Sequence, residues 1–174
     1  KNPLAVIKAF KSAFKPSEKV TLVIKCCNSS FDPQAMSRIR EKAAGSRAVI
    51  INQYLYKDEV NALMGLCDCY VSLHRSEGFG LTLAEAMLQA KPVIATGYSG
   101  NTDFMHSGNS FPVDYTLVEI EQDHGPYKKG KIWAESEGKD KGATFIFEIP
   151  IAKDVTEGEI RKALVENDLV DCIV

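Results

Sequence analysis

Short apolar runs alternate with helical segments of about ten residues through the first two thirds of the chain. The runs are rich in branched side chains, as in Val20–Ile24 and Ala48–Ile51, which is typical of strands buried on both faces. The predicted strands are 20–25, 48–51, 69–73 and 92–95, and the predicted helices are 3–15, 32–44, 57–67, 81–90 and 101–106. A helix that joins two successive strands makes them parallel. The alternation therefore predicts an α/β fold with a doubly wound, mainly parallel sheet.

Capping residues mark the ends of these helices. Asn2 and Asp32 each precede a proline, so each is an N-cap followed by Pro at the first helical position. Pro16 ends the first helix and Gly45 the second.

In doubly wound sheets, ligands bind outside the carboxyl ends of the strands. The segments of interest are therefore 25–28, 52–54, 74–80 and 96–101.

Composition excludes several classes of protein. The chain has 174 residues, which favours one domain, and its net charge of -2 does not favour a nucleic-acid surface. No apolar run approaches the ~20 residues of a membrane helix, and the start at Lys1 shows no signal peptide and no initiator Met. Five cysteines, an odd number, favour reduced thiols in a cytoplasmic protein. The missing Met suggests a processed chain or part of a longer one.

The regular alternation weakens after Tyr115. Residues 121–142 are rich in Gly, Lys and Glu and predict a long loop, either functional or mobile. Its aromatic and basic residues are Tyr127, Lys128, Lys129, Lys131 and Trp133. A surface cluster is the default interpretation, and contact with an acceptor or partner is the alternative. Beyond the loop, 143–147 predicts a strand, and Thr156 with Glu159 resembles a capping box that opens a helix.

Residues 74–87 carry the most chemical information. The segment joins a predicted strand to a predicted helix and contains Gly78 and Gly80 at the turn, where glycine permits close approach of a ligand. A helix N-terminus suits phosphate. Glu77 and Glu85 flank it, and carboxylates near a phosphate suggest a ligand with hydroxyl pairs, such as a sugar and a ribose. The alternative is a common Gly-x-Gly turn followed by a solvated Glu85.

Two other phosphate motifs are not met. The three-glycine dinucleotide pattern fails because position 83 is Leu, and no Gly-Lys-Ser/Thr sequence marks a P-loop. The sequence also has no Asp-x-Asp, and Cys67-x-Cys69 is too tight for the zinc pattern. We therefore expect no metal and no cofactor. Cys67 and Cys69 are interpreted as small core residues, and Cys26-Cys27 as inert, with reactivity as the alternative.

At this point the sequence resembles a known family. Glu77 and Glu85, in the context Ser-Glu-Gly-Phe-Gly-Leu-Thr-Leu-Ala-Glu-Ala-Met, resemble the signature of the retaining GT-B glycosyltransferases of family 4 (group 1). The segment 91–101 is similar to the part of that family that usually carries Gly-Gly-x-x-Glu. The opening 1–3 resembles its Lys-Gly/Asn helix start. The resemblance runs from residue 1 to about 135 and implies the Rossmann-like C-terminal, donor-binding half of a GT-B fold, with 136–174 an atypical tail.

The resemblance also implies roles for individual residues. Glu77 is the catalytic candidate and would hydrogen-bond hydroxyls of the donor sugar, and Glu85 would bind the ribose. The other implied donor-binding residues are Lys1, Lys25, His74, Gly78, Phe79, Gly80, Leu81, Thr82 and Ser99. Within this set the glycines and Phe79 would line the sugar through their N–H groups. Leu81 and Thr82 would hold the diphosphate, which Lys1 would neutralise.

Some candidates keep two interpretations. Lys25 is a weaker candidate because it only ends a strand on the nucleotide side, and the loop 52–54 would border the base through its backbone. His74 could touch donor or acceptor, or be a hydrogen-bonded loop histidine. Arg75 could contact phosphate or be solvated. Gly100 and Asn101 lie with Ser99 near the proposed sugar site.

The implied function is metal-independent, retaining transfer of a sugar from a UDP- or GDP-linked donor. The acceptor is expected to be a glycan or lipid-linked glycan, as in polysaccharide biosynthesis by a hexosyltransferase-type enzyme. The acceptor-binding N-terminal half is expected to be missing, so the chain alone should be inactive. Membrane contact, if any, would be peripheral and through the longer protein. The alternatives are another GT-B enzyme such as a sugar-nucleotide epimerase, a nucleotide-binding Rossmann-like module, and a non-catalytic interaction domain.

Overall fold

The computed structural model describes residues 1–27, 32–121 and the backbone of 132–135. The α-helices within these residues are α1 Pro3–Ala13, α2 Pro33–Ala43, α3 Lys57–Leu66 and α4 Leu81–Leu88, and a short 3₁₀ helix spans Gly100–Asp103. The strands are β1 Leu22–Cys26, β2 Ala48–Asn52, β3 Tyr70–Ser72, β4 Val93–Thr96, β5 Phe111–Val113, β6 Thr116–Glu119 and β7 Ile132–Glu135.

Parallel pairing dominates the described strands. β1 pairs with β2 in parallel, with Leu22 opposite Ala48. A second ladder has the order β3-β4-β5, with Tyr70 opposite Val93 and Ile94 opposite Phe111, again in parallel. Among the strands that the structure describes, only β6 and β7 pair antiparallel. The predicted α/β class with mainly parallel strands is confirmed.

Helices cover both faces of the β3-β4-β5 ladder, and β4 shows this directly. Its side chains alternate between two core clusters because successive residues of a strand point to opposite faces. Ile94 packs in a cluster with Val6 of α1, whereas Val93 and Ala95 pack in a cluster with Leu83 of α4. The arrangement is therefore doubly wound, as the alternation of apolar runs and helices predicts.

A third cluster seats α1 and α2 on the β1–β2 ladder. It contains Ile7 of α1, Ile24 of β1, and Ile39 and Ala43 of α2. Because α1 also contributes Val6 to the cluster around β4, this helix lies over both ladders. The two ladders are thus held in one fold by a helix whose apolar stripe is wide enough to contact both.

The helix ends follow local capping chemistry. The Asn2 side chain accepts a hydrogen bond from the N–H of Ala5 at 3.4 Å, and Asp32 accepts one from Ala35 at 2.8 Å. Gly45, just after α2, has a φ of 74°, which is the left-handed conformation that favours glycine at a helix C-terminus. The predicted N-caps and the predicted glycine stop are confirmed. No helix within the described ranges is long and apolar enough to span a bilayer.

The structure differs from the prediction at several elements. β1 begins at Leu22 rather than Val20, and only Ile24 of its five residues is fully buried. Both faces of this strand are covered, as predicted, but the burial is partial: Ile24 lies in the cluster with Ile7 of α1, and Val23 packs from the opposite face against the cluster that contains Leu83. The helix predicted at 101–106 is a 3₁₀ turn over 100–103.

Strands β5, β6 and β7 have no counterpart in the prediction. β5 and β6 are short and partly exposed, so they lack the apolar run that marks a buried strand. β7 falls within 121–142, where a loop was expected. The remainder of that loop, 122–131 and 136–142 with Tyr127, Lys128, Lys129 and Lys131, lies outside the described residues. So do the predicted strand 143–147 and the helix from Thr156.

Candidate functional site

Two loops meet at the carboxyl edge of the β3-β4-β5 ladder. Residues 73–80 follow β3 and residues 97–99 follow β4, and these strands are neighbours in parallel. The loops are joined through Glu77: its N–H donates to the Ser99 hydroxyl at 3.3 Å, and its carbonyl accepts from the hydroxyl of Ser99 and from the N–H of Gly100. The backbone that carries Glu77 is therefore positioned by the second loop.

Gly100 makes this contact possible. A Cβ at this position would lie 1.7 Å from the carbonyl oxygen of Gly78, so any side chain there would force the loops apart. The preceding Ser99 has a φ of 82° and a ψ of -161°, a conformation found essentially only in glycine. The hydrogen bonds of its side chain to Glu77 offset part of that strain. Ser99 and Gly100, both candidates from sequence, thus lie against the glutamate loop.

His74 lies beneath the loops with no exposed surface. Its Nε2 lies 3.0 Å from the carbonyl oxygen of Tyr98 and 3.0 Å from Oδ1 of Asn101. Both partners are acceptors, which places the proton on Nε2 and leaves Nδ1 to accept from the Ser72 hydroxyl at 3.3 Å. This geometry matches the hydrogen-bonded loop histidine rather than a side chain presented to a ligand.

Asn101 completes this buried network. It is also fully buried, and its Nδ2 donates to the carbonyl of Thr96, at the end of β4, at 3.0 Å. The network therefore connects the ends of β3 and β4 through His74 and Asn101. Because both side chains use their hydrogen-bonding groups internally, they position the loops above them.

Lys1, Glu77 and Thr82 come together although they are far apart in sequence. The ammonium of Lys1 donates to the carboxylate of Glu77 and lies 3.5 Å from the hydroxyl of Thr82. The Thr82 hydroxyl also accepts from Tyr70 at 2.9 Å. The side chain of Glu77 is 18% exposed and that of Lys1 is 33% exposed, so both remain accessible to a ligand.

A second ion pair holds the other glutamate. Lys57, the first residue of α3, donates to the carboxylate of Glu85 on α4. Sequence reasoning did not identify Lys57. The available signal was its position: it opens the helix that follows β2 and therefore lies at the same edge of the fold as the other strand ends.

The N-terminus of α4 lies between these pairs. Gly80 is its N-cap, with a φ of 88°, and no side chain caps the helix. The first N–H groups of a helix have no intrahelical partner and carry partial positive charge. Phe79 and Leu81 flank the turn and are exposed, and the Phe79 ring packs on that of Phe104 with centroids 4.9 Å apart. The turn thus offers donors for an anion beside apolar surface.

Lys25 and the cysteines take no part in the two ion pairs. Lys25 lies near the end of β1, opposite Ile51 of β2. Burial raises the pKa of the Cys69 thiol to about 12, and burial also raises the pKa of Cys26. A raised pKa lowers the thiolate fraction, which agrees with unreactive thiols. Within the described ranges, no group of three His, Cys, Asp or Glu side chains could hold a metal ion.

Comparisons with known proteins identify the class. The family model described as glycosyl transferases group 1 matches residues 1–120. A trehalose synthase of Rubrobacter xylanophilus is 28% identical over 120 residues, covering 66% of this chain and 29% of that protein. The chain therefore spans less than a third of the length of that relative. No solved structure matches significantly. The matched region includes both glutamate ion pairs and the two loops, and the chain belongs to the group 1 glycosyltransferases.

Proposed function

We propose that this chain is the donor-binding domain of a retaining, metal-independent glycosyltransferase that uses a UDP- or GDP-linked sugar. The main supporting observation is that Lys1–Glu77 and Lys57–Glu85 flank the uncapped N-terminus of α4. This arrangement offers positive groups for a diphosphate and carboxylates for hydroxyl groups at one edge of the fold.

The diphosphate would lie on the N-terminus of α4. Backbone N–H groups there are fixed donors that need no reorganisation as charge develops on the leaving group. Lys1 has three N–H donors; Glu77 accepts one and the Thr82 hydroxyl a second, at 3.5 Å, so the third can reach a phosphate oxygen. Together they would stabilise the leaving diphosphate as the bond to the sugar C1 breaks.

The carboxylates would bind the two diols of the donor. Glu77 would accept hydrogen bonds from the sugar hydroxyls, and Glu85 from the ribose. Each would do so while its lysine partner limits the repulsion between carboxylate and diphosphate. Gly78 and Gly80 allow the sugar to approach the backbone, because neither presents a side chain.

The acceptor would be a glycan or lipid-linked glycan, bound largely by an N-terminal domain of a longer cytoplasmic protein. The likeness to a protein named trehalose synthase supports a saccharide as the product. Because the chain covers only 29% of that relative, the isolated chain should bind donor and should not transfer sugar. Turnover by the isolated chain would overturn this part of the proposal.

Calorimetric titration of the 174-residue chain with UDP and GDP tests the donor site. Glu85→Ala removes the acceptor for the ribose hydroxyls, and a hydrogen bond to a charged group contributes about 1.5–3 kcal/mol. We expect at least tenfold weaker nucleotide binding, with Glu119→Ala, at an exposed position on β6, as the charge-matched control. Unchanged affinity in Glu85→Ala would remove this residue from the site.

A further inference from the structure

A groove of about 680 Å³ runs between α1 and α2. Its lining residues are Asn2, Leu4, Ala5, Lys8, Lys11, Ser12, Arg38, Glu41, Lys42 and Arg75. The α1 residues extend from position 2 to position 12, which corresponds to about 15 Å at 1.5 Å per residue. The groove is therefore long enough for an extended ligand.

The charge of this groove differs from that of the rest of the chain. Five of its lining side chains are cationic and one is anionic, whereas the chain as a whole has 21 basic and 23 acidic residues. A surface lined by one sign of charge in a concave shape concentrates the opposite charge. The N-terminus of α1, at Asn2, adds the positive end of the helix dipole.

One of the cations is fixed by the fold. The Lys11 ammonium donates to the carbonyls of Lys42 and Ala44 at 3.1 and 2.8 Å, at the C-terminal end of α2. It therefore caps α2 and keeps its charge at the far end of the groove. Another lining cation, Arg75, lies two residues before Glu77 in the loop of the proposed donor site.

We propose that this α1–α2 groove binds an acidic oligosaccharide, which serves as the acceptor or as the growing chain. The assignment of an acceptor role rests on the proposed function. Because Arg75 of the Glu77 loop lines the groove, one end of such a chain would lie near the donor sugar. Lysine and arginine side chains of the groove would pair with the acidic groups of the oligosaccharide. The apolar side chains of Leu4 and Ala5 would contact its sugar rings.

A membrane surface fits the groove less well. Peripheral membrane binding combines basic groups with apolar side chains that enter the bilayer. The exposed large apolar side chains of the described residues, such as Tyr54, Leu88 and Leu117, all lie outside the groove lining. The concave, basic surface without such side chains favours a soluble polyanion.

The test is titration of the 174-residue chain with a galacturonate trimer, with maltotriose as the neutral counterpart. The variant Arg38→Gln/Lys42→Gln removes two cations of the groove. The control Arg40→Gln/Arg47→Gln removes two exposed cations that do not line it. Loss of two exposed ion pairs predicts fivefold to tenfold weaker binding in the first variant only, which corresponds to about 1–1.4 kcal/mol in total. Circular dichroism verifies that each variant folds.

Binding of the trimer but not of maltotriose, weakened selectively by the groove variant and by ionic strength of about 0.5 M, supports the proposal. Absence of trimer binding, or equal loss in the control variant, overturns it. Binding of phosphatidylglycerol vesicles through Arg38 and Lys42 without trimer binding overturns the proposal in favour of a membrane surface.

UDP titration of the same proteins separates the groove hypothesis from the donor-site hypothesis, because the groove variant should keep its UDP affinity. Failure of UDP to bind the wild type refutes the donor site alone.

Discussion

Asn101 is the residue whose replacement should reveal how the loops of the site are held. Asn101→Ala removes the donor to the Thr96 carbonyl and the acceptor of the His74 Nε2–H, both at 3.0 Å. The Thr96 carbonyl then lacks its side-chain donor, and His74 retains only the Tyr98 carbonyl at Nε2. Because Asn101 and His74 are fully buried, water cannot easily replace the lost partners.

The expected loss of stability follows from these two lost hydrogen bonds. A buried polar group left without its partner costs about 1–3 kcal/mol, so two weakened groups predict a loss of about 2–4 kcal/mol in the free energy of unfolding. This is a large share of the ~5–15 kcal/mol that stabilises a typical domain. With a urea m-value of about 2 kcal/mol/M, in the middle of the usual range, the unfolding midpoint should fall by roughly 1–2 M.

Urea unfolding followed by far-UV circular dichroism measures this change. Asn109→Ala is the matched control, because Asn109 also makes two side-chain hydrogen bonds, to the His106 N–H and the Phe104 carbonyl, both at 2.9 Å. Asn109 is exposed, so water can replace those bonds and the loss should stay near 1 kcal/mol or below. Equal losses in the two variants, or a loss below about 1 kcal/mol for Asn101→Ala, would refute the view that burial of this network holds the loops.

Three further predictions concern the same region. Gly100→Ala should abolish UDP binding, because the added Cβ would lie 1.7 Å from the Gly78 oxygen. The control Gly78→Ala should keep its UDP affinity, because the added Cβ meets no atom within 4 Å. Equal effects of the two variants in titration would contradict the close contact of the loops. Ser99→Gly should melt at a higher temperature than Ser99→Ala, because only glycine relieves the strain of φ 82°, about 1–3 kcal/mol; the reverse order in calorimetry would exclude strain. Cys69, with a pKa of about 12, should react with iodoacetamide far more slowly at pH 8 than exposed Cys27. Because its pKa is raised in the folded state, the contribution of Cys69 to stability is lost as the pH rises above the ordinary cysteine value of about 8.5. Peptide mass spectrometry measures the labelling rates, and unfolding at several pH values measures the loss of stability. Faster labelling of Cys69 than of Cys27 would contradict its burial.

Local patterns account for what the sequence predicted correctly. Helix starts at Asn2 and Asp32 depend on a side chain reaching an N–H three residues away, and a stop at Gly45 depends on one backbone angle. Strands such as β4 stand out because every residue is buried. The short strands β5 and β6, partly exposed, carry no such signal, and their formation depends on neighbours distant in the sequence.

The candidate site also has a part that local sequence predicts and a part that depends on the fold. The spacing of Glu77 and Glu85 around a glycine turn is a local pattern, so sequence alone identified the segment and its family. The partners of those glutamates are not local: Lys1 is 76 positions from Glu77, and Lys57 is 28 positions from Glu85. Only the parallel order of the strands brings their ends to one edge and makes these pairs.

Burial and shape also required the tertiary structure. His74 has the same neighbours in the sequence whether it faces a ligand or lies beneath the loops, and the packing of Asn101 against it decided for the second. The groove between α1 and α2 joins residues of two helices and a loop, and no periodicity within either helix predicts it. The sequence thus determined the helices, the strands β1 to β4 and the chemical groups, because these depend on near neighbours. The fold decided which groups meet, because that depends on how strands pair and helices pack.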